Sequence, residues 1–315
     1  SDDYTLTADD LNAFNSDTGY YKYALDNAVN FSIGELHVHG LCGTANCTES
    51  KNHKNVLWTA IRTEEDLRNI KGGSSSSHRQ YYYLTTNIAL NNTSWNPTGY
   101  ISLCLNGYSI TANGNFDTIT VGEGKDTDSL TLCDCNGSGN NTGEITHVDG
   151  MKGRGVYLKP FSDLSLYSGN ITGNNTDDHG GGVYLDGSFF YMYGGSITKN
   201  TAEKDSKNKG GNGGVYVGGG TFDMNGNASV SGNKATNSKS ENTTYGGGVY
   251  VSGTKSTFTM NGNASVSGNT AANGGGVSVN SRGTFNMNGN ASITGNTANG
   301  VFVNGGTFTV SGEPT

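Results

Sequence analysis

The apolar residues of this chain recur at fixed positions within a repeated unit. The unit is clearest over residues 246–273, which read GGGVYVSGTKSTFTMNGNASVSGNTAAN. The segment Phe-x-Met-Asn-Gly-Asn-Ala-Ser-(Val/Ile)-(Ser/Thr)-Gly-Asn starts at Phe222, Phe258 and Phe285, and looser copies start at Leu164, Phe190 and Phe308. A Val-x-(Val/Leu) triplet precedes each copy, and these triplets open at Val156, Val183, Val215, Val249, Val277 and Val301. Repetition every 24 to 34 residues predicts a solenoid.

Each regular copy contains three strand candidates separated by Gly and Asn turns. In the copy after Gly248 they span residues 249–251, 258–260 and 264–266. Because successive side chains of a strand point to opposite faces, one set points inward and the other outward. The inward set is Val249, Val251, Phe258, Met260, Ala264 and Val266, and the outward set is Tyr250, Thr259 and Ser265. Coils of this kind stacked about 4.8 Å apart predict an all-β fold, a three-faced parallel β-helix.

Two other features of the repeat have predicted structural roles. One turn carries a recurring asparagine whose buried amide can bond its own backbone and the next coil, at Asn174, Asn200, Asn233, Asn269 and Asn296. The copies differ in length after that asparagine, so the polar inserts 202–212 and 234–245 are expected to bulge as loops. Counted from Tyr81, about nine coils make a rod on the order of 40 Å long.

Residues 1–80 do not repeat and are predicted to form an N-terminal cap. Thr63, followed by three acidic residues, marks the start of a short helix that ends near Ile70. The β-helix is predicted over 81–315, with irregular coils to about 155 and regular repeats from 156. The last copy stops before its third strand, so either the polypeptide continues or something else covers this end, and we expect further domains of the same polypeptide.

Composition and charge exclude some classes of partner. Only 32% of the 315 residues are apolar, so the core is small relative to the surface. A net charge of −8 with 19 basic residues provides no electrostatic footprint for nucleic acid, which excludes DNA and RNA. No apolar run approaches the roughly 18 residues of a membrane span, so we expect no direct insertion into a membrane.

The strongest chemical signal is the segment HVHGLCGTANCTESKNH, which places five ligand-type side chains within 17 residues. These side chains are His37, His39, Cys42, Cys47 and His53. Imidazole and thiolate groups bind tetrahedral zinc, so we predict that four of the five hold a structural zinc ion in a segment too polar to build its own core. A disulfide between Cys42 and Cys47 is the main alternative, and a catalytic metal or the absence of any site also stays open.

Three further cysteines lie in the irregular coils, at Cys104, Cys133 and Cys135. They are about one coil apart, so neighbouring coils can bring Cys104 close to either of the other two. The alternatives are small buried side chains or a disulfide from Cys104 to Cys133 or Cys135.

The outward residue of each triplet is the candidate binding position. These residues are Tyr157, Tyr184, Tyr216 and Tyr250, followed by Ser278 and Phe302. Stacked coils line them up as an exposed aromatic row, here called the Tyr stripe, which can pack on sugar rings or anchor a protein partner. The structural alternative is cross-strand stacking, because Tyr is a good strand former and aromatic neighbours stabilise one another.

The regular array resembles the right-handed parallel β-helix repeats of large surface proteins of Gram-positive gut bacteria, which share the pattern GGGVYV…GTFTMNG…ISGNTA. The Cys/His segment, Trp58, YYYL and LCLNGYSI look like the N-terminal cap that precedes such arrays. There is weaker similarity to the chlamydial polymorphic membrane proteins, whose Phe-x-x-Asn motif matches Phe222 to Asn225. These resemblances imply an extracellular protein, secreted or attached to the bacterial cell surface, with an adhesive or host-interacting role.

We therefore expect a non-enzymatic, adhesin-like binding module that presents the Tyr stripe or the insert loops to a host protein or glycan. A polysaccharide lyase or hydrolase is the alternative, because the fold is similar to that of pectate lyases, and a structural spacer is a third possibility. Catalysis requires acids or bases that converge on one outer face, whereas the outward residues here are mostly Ser, Thr, Asn and Tyr. The densest titratable group, Asp177, Asp178 and His179, is interpreted as a solvated turn.

Overall fold

The computed structural model describes residues 58–122, 127–135, 142–204, 211–237 and 244–315, together with the backbone of two strands nearer the N-terminus. Those two strands, β1 (Tyr21–Asp26) and β2 (Asn30–Glu35), pair with each other in antiparallel fashion. The remainder of the described chain winds through three long parallel sheets and one short parallel sheet. The predicted all-β fold, a parallel β-helix, is confirmed.

The longest sheet has ten strands and carries the Phe-x-Met segments. Its strands are β3 (Thr59–Ile61), β4 (Gln80–Leu84), β6 (Tyr100–Cys104), β9 (Ser129–Cys133), β12 (Asp163–Leu166), β16 (Ser188–Met192), β20 (Gly220–Met224), β24 (Ser256–Met260), β27 (Thr284–Gly289) and β30 (Thr307–Gly312). The first of them, β3, belongs to the segment assigned to the cap. The other nine match the number of coils expected from the repeat.

The seven-stranded sheet carries the Val-x-(Val/Leu) triplets, and the eight-stranded sheet forms the third face. The seven strands are β8 (Ile119–Val121), β11 (Val156–Leu158), β15 (Val183–Leu185), β19 (Val215–Val217), β23 (Val249–Ser252), β26 (Val277–Asn280) and β29 (Val301–Asn304). The eight are β5 (Ile88–Leu90), β7 (Ile110–Ala112), β10 (Glu144–His147), β13 (Asn170–Thr172), β17 (Ser196–Thr198), β21 (Ser229–Ser231), β25 (Ser265–Ser267) and β28 (Ser292–Thr294). From β8 to β28 the coils visit the seven-, ten- and eight-stranded sheets in that order, whereas the strands from β3 to β7 belong only to the other two sheets and the last described coil ends in the ten-stranded sheet.

A short helix covers the N-terminal end of the core, as the sequence predicts. Helix α1 (Glu64–Asn69) begins with a reciprocal cap: the Asp66 backbone N–H donates to Thr63 Oγ1, and the Thr63 N–H donates to Asp66 Oδ2, both at 3.0 Å. Its one buried side chain, Leu67, joins the main hydrophobic core. A single 3₁₀ turn follows at Ser76–His78.

The inward side chains form one continuous core. All six inward residues predicted for the coil after Gly248 are fully buried. Phe258 stacks on Phe222 with ring centroids 4.9 Å apart and on Phe285 at 4.8 Å. Burial of a Phe side chain stabilises a fold by about 1.5–3 kcal/mol, and an aromatic pair adds about 0.5–1.5 kcal/mol. The repeated Phe is therefore a main source of stability in the regular coils that carry it, from Phe190 onward.

The recurring asparagines form a ladder of buried amides. Nδ2 of Asn233 donates to the Ile197 carbonyl at 2.9 Å and to Oδ1 of Asn269 at 3.0 Å. Oδ1 of Asn233 accepts from the backbone N–H and from Nδ2 of Asn200, both at 3.0 Å. Every polar group of the amide is bonded, which is the condition for burying it without a large loss of stability. The predicted bond from one asparagine amide to the next coil is therefore confirmed, whereas the backbone carbonyl that Asn233 bonds belongs to the preceding coil and not to its own turn.

A buried histidine terminates this ladder at its N-terminal end. His147 Nδ1 lies 2.7 Å from Oδ1 of Asn174, and Nε2 lies 2.8 Å from the carbonyl oxygen of Phe116. The ladder thus ends on a ring that connects the first regular coil to the irregular coils before it.

The two inserts begin as strands, which differs from the expectation that they bulge as loops throughout. The short sheet consists of β14 (Asn175–Thr176), β18 (Thr201–Lys204) and β22 (Lys234–Asn237). Ala202 pairs with Ala235, and both side chains are buried. Because the asparagine ladder holds the preceding turn in register, the chain leaves it in the same direction in successive coils and the backbone continues to pair. The central insert residues 205–210 and 238–243 lie outside the described residues.

We predict that Asn233→Ala lowers the free energy of unfolding by about 1–3 kcal/mol or more, because it leaves buried backbone and amide partners without hydrogen bonds. Denaturant unfolding followed by circular dichroism measures the change. The control is Asn263→Ala on an exposed asparagine of the next copy, which is expected to change stability by less than about 0.5 kcal/mol. Equal losses in the two variants would contradict the role assigned to the ladder.

Candidate functional site

The residues of the Tyr stripe occupy the central outward position of the seven-stranded sheet. The pairing register places Tyr157 beside Tyr184, Tyr184 beside Tyr216, and Tyr216 beside Tyr250. Ser278 and then Phe302 continue the row. The structure therefore brings all the sequence-predicted stripe residues together on one face.

The tyrosine rings pack on one another along the solenoid axis. Tyr184 and Tyr216 lie with centroids 4.8 Å apart and planes 4° apart, and Tyr216 and Tyr250 lie 5.4 Å apart. Tyr157 meets Tyr184 edge to face at 5.3 Å. The cross-strand stacking considered as the structural alternative is thus present, and the rings are half-buried. Ring edges and hydroxyl groups, more than ring faces, are left for a partner.

Two side chains from the turns before the triplets cover the first half of the stripe. The Arg154 guanidinium lies 4.9 Å from the ring centroid of Tyr157 and 4.7 Å from that of Tyr184. The His179 ring stacks on Tyr216 at 4.5 Å, and its Nδ1 lies 2.8 Å from Nδ2 of Asn212. The stripe is therefore a mixed aromatic and cationic surface.

The second half of the stripe is completed by Tyr245. Its ring centroid lies 6.3 Å from that of Tyr250 and 6.0 Å from that of Phe302. Ser278, the residue between these two in the row, is fully buried, so Tyr245 spans the place where the row lacks a ring. The Tyr250 hydroxyl accepts a hydrogen bond from Nδ2 of Asn280 at 3.0 Å.

Sequence reasoning missed Arg154, His179 and Tyr245. His179 and Tyr245 each stand four residues before a triplet, in HGGGV and YGGGV. An aromatic ring at this position of the repeat could therefore have identified both residues from the sequence. The glycines after them allow close packing of coils: a Cβ on Gly181 would lie 2.6 Å from the carbonyl oxygen of Thr201. The turn therefore comes near enough for its first side chain to reach the stripe.

The titratable group Asp177, Asp178 and His179, interpreted from the sequence as a solvated turn, is only partly exposed to solvent. Asp177 is exposed and forms an ion pair with Lys152, whereas Asp178 forms an ion pair with Arg154. Arg154 also bonds Asp117 at 3.2 Å. The acidic turn thus holds Arg154 over the first tyrosines.

An open cleft lies beside this end of the stripe. Its volume is about 580 Å³, and the charged side chains that line it are Asp117, Lys152, Arg154, Asp177 and Asp178. The cleft joins the stripe at Arg154 and extends the surface with charges of both signs. Such a surface provides specificity for a partner with a complementary charge pattern.

Burial perturbs the tyrosine hydroxyls of the stripe. Burial, followed by the charge of Asp186, raises the pKa of Tyr157 to about 12. The Tyr157 hydroxyl donates to Asp186 Oδ2 at 3.1 Å, which also favours the neutral phenol. Burial likewise raises the pKa of Tyr184 and of Tyr216. These tyrosines therefore act as neutral hydrogen-bonding groups near neutral pH.

The three cysteines of the irregular coils meet on the outer side of the ten-stranded sheet. Cys104 and Cys133 are register partners, and both are buried in a second apolar cluster with Trp58 and Tyr83. The sulfur of Cys104 lies 3.1 Å from that of Cys135. Burial raises the pKa of the Cys104 thiol, which disfavours the reactive thiolate. Burial of small side chains is thus observed for two of the residues, and Cys135 is the cysteine whose sulfur approaches Cys104.

The five zinc-site candidates lie outside the described residues. They are His37, His39, Cys42, Cys47 and His53. Within the described residues, no group of three or more His, Cys, Asp or Glu side chains is placed to hold a metal ion. The same part of the chain contains no helix long and apolar enough to cross a membrane.

We predict that alkaline pH destabilises the fold through the stripe. Because the pKa of Tyr157 is raised from its unfolded value of 10.0 to about 12, its contribution to stability is complete below about pH 10 and is lost as the pH rises through about 12. Denaturant midpoints measured across this interval are expected to fall. Tyr157→Phe, which has no ionisable hydroxyl, is expected to flatten the profile, and an unchanged slope in this variant would contradict the assignment.

Comparison of the chain with protein-family models, with curated proteins and with solved structures returned no match.

Proposed function

We propose that this chain is a non-enzymatic binding module of a bacterial protein that is secreted or attached to the cell surface, and that its Tyr stripe binds a host protein. The observation that carries the proposal is the aromatic row from Tyr157 to Tyr250, which Tyr245 connects to Phe302, with Arg154 and His179 packed over it. Tyr and Arg are the residue types that contribute most of the binding energy at protein interfaces. The two inserts lead along the chain into β19 and β23, which carry Tyr216 and Tyr250, and the proposal includes them as further contacts for the partner.

The geometry of the rings favours a protein over a glycan as the partner of this stripe. A sugar ring packs on the free face of an aromatic ring, but the faces of Tyr184 and Tyr216 are turned toward each other. The surface left over consists of ring edges, hydroxyl groups and the charged side chains around Arg154. A protein can match such a surface with its own hydrogen-bonding groups and charges.

We predict that replacing the stripe abolishes protein binding. In Tyr184→Ser/Tyr216→Ser/Tyr250→Ser, the affinity for immobilised extracellular-matrix proteins and mucin is expected to fall at least about thirtyfold, because three interface anchors are removed. Surface plasmon resonance measures the affinity, and circular dichroism checks that each variant keeps its β-sheet spectrum. The matched control carries three outward substitutions on the ten-stranded sheet, Thr259→Ser/Thr284→Ser/Thr309→Ser, and is expected to bind normally.

Other outcomes favour the alternatives. Release of sugar end groups from an acidic polysaccharide would support a lyase or hydrolase, and failure of the intact chain to bind any probe would support a spacer. If the triple variant does not fold, Arg154→Gln provides the second test, because it removes the cation over the rings while leaving their stack in place. Unchanged affinity in both variants would remove the stripe from the proposal.

The proposal includes a structural zinc ion bound by four of the five side chains of the Cys/His segment. The purified protein is expected to contain about one equivalent of zinc, as a tetrahedral Cys/His site requires. Elemental analysis of protein purified without exposure to a chelator measures the zinc content. The control is Cys42→Ser/Cys47→Ser, which should lose the metal, and equal zinc content in the two proteins would contradict this assignment.

A further inference from the structure

A second aromatic surface lies on the ten-stranded sheet, away from the Tyr stripe. Phe161, Phe189 and Tyr193 are 62%, 42% and 44% exposed and are the only aromatic rings among the strongly exposed large apolar side chains of the described residues. Phe189 belongs to β16, Tyr193 follows it, and Phe161 lies in the turn before the neighbouring strand β12. Together with Tyr191, the outward residue between Phe189 and Tyr193, they are called the aromatic platform.

The faces of these rings are more available than those of the stripe. Tyr193 stacks on Tyr167 at 4.7 Å, which supports its ring from one side. Neither Phe161 nor Phe189 stacks on another aromatic ring of the described residues. An exposed aromatic face of this kind loses contact with water only when a ligand covers it.

The backbone at Phe161 is held in an unfavourable conformation. Its φ is 68°, in the left-handed region that residues with a bulky side chain rarely adopt. Its N–H donates to the carbonyl of Gly187 at 3.2 Å, and Gly187, the corresponding residue of the next coil, has φ 65°. The turn therefore suits glycine, and the chain instead displays a phenylalanine that is more than half exposed. Because the exposed Phe161 ring gains little packing that would offset this backbone strain, the strain indicates a role for the ring in binding.

Two carboxylates lie at the centre of the platform. Asp163 is the register partner of Phe189, and Asp223 is the register partner of Tyr191. The six strands β12, β16, β20, β24, β27 and β30 contain no Lys or Arg. The guanidinium nearest to the two carboxylates, Arg79, already donates to the Ile101 carbonyl and to Ser129, and its charge acts on Asp163. The carboxylates at the centre of this face therefore disfavour an anionic ligand.

The same face extends as regular polar rows toward the C-terminal end of the described chain. Thr221 is followed in register by Thr257, Thr284 and Thr307, one residue per coil at steps of about 4.8 Å. A flat surface with rings at one end and hydroxyl groups repeated along it suits an extended ligand that alternates apolar faces with hydroxyl rims. Sugar chains have this character, because the C–H face of a pyranose packs on an aromatic ring while its hydroxyls donate to carboxylates.

We infer that the aromatic platform binds an uncharged polysaccharide, with Phe161 and Phe189 as stacking residues and Asp163 and Asp223 as acceptors for sugar hydroxyls. A protein partner fits this surface less well, because its centre carries two carboxylates whose desolvation opposes burial in a dry interface. Val148 and Val303 lie outside the ten-stranded sheet, and Val310 of β30 is the register partner of the inward Met287, so these exposed aliphatic side chains add no apolar area to the platform. The site is independent of the stripe and of its proposed protein ligand.

Affinity electrophoresis in gels containing amylose, laminarin, mannan or xyloglucan tests the inference, with polygalacturonate as the anionic comparison. At least one uncharged polymer is expected to retard the protein, and polygalacturonate is not. Phe161→Gly is expected to weaken binding at least about tenfold, since it removes a stacking ring. Its denaturant midpoint should be unchanged or higher, because glycine adopts this φ without strain.

Two further variants separate this site from the stripe and from general loss of structure. Phe189→Ser is expected to reduce binding as Phe161→Gly does, whereas Tyr184→Ser/Tyr216→Ser/Tyr250→Ser is expected to keep it. The inference is overturned if no uncharged polymer retards the protein, if polygalacturonate binds equally well, or if Phe161→Gly and Phe189→Ser both bind like the unchanged chain. Binding to matrix proteins that is lost in the platform variants and kept in the stripe variant would also overturn it.

Discussion

The structure depends on one constraint, the parallel register that places each residue beside its counterpart in the next coil. Backbone hydrogen bonds set a spacing of about 4.8 Å between coils, and flat side chains can stack at nearly this distance. Phe222, Phe258 and Phe285 do so in the core with centroid separations of 4.9 and 4.8 Å. The register that forms the backbone hydrogen bonds therefore also places identical side chains beside each other. A side chain that packs well against a copy of itself makes the same stabilising contact in every coil that carries it.

The buried amides show the polar version of this constraint. Each asparagine of the ladder satisfies its neighbour because both occupy the same place in consecutive coils, as Asn200 and Asn233 do. The ladder also explains why the inserts start as strands. It fixes the direction in which the chain leaves the asparagine turn in each coil, and the coils differ in length only after that point. Where the repeat becomes irregular, His147 takes over the contact to Asn174, and other contacts, such as the approach of Cys104 to Cys135, replace the regular stacks.

The two outer faces proposed to bind ligands differ because of which outward residues repeat. On the seven-stranded sheet Tyr is repeated, so Tyr184 and Tyr216 stack and become half-buried. Around β16 of the ten-stranded sheet the outward residues change from one coil to the next, so Phe189 lies between Asp163 and Thr221 and has no ring to pack on. Where an aromatic residue repeats in successive coils, the rings stack and leave only their edges available to a ligand. Where the repetition is interrupted, the ring faces stay available. This difference is the physical basis for assigning them partners of different chemistry.

The sequence by itself determined the fold, the inward columns, the asparagine turn, the short helix after Thr63 and the alignment of the stripe, because all of these follow from a strand period of two and from in-register stacking. The tertiary structure decided how much of each tyrosine is covered, because Arg154, His179 and Tyr245 reach the stripe from turns. The alternation of side chains along a strand does not determine the path of a turn. It also decided that Cys135 approaches Cys104, and that Phe161 projects from a turn built for glycine. Local alternation determines which side a residue faces, whereas exposure depends on what the rest of the chain brings against it.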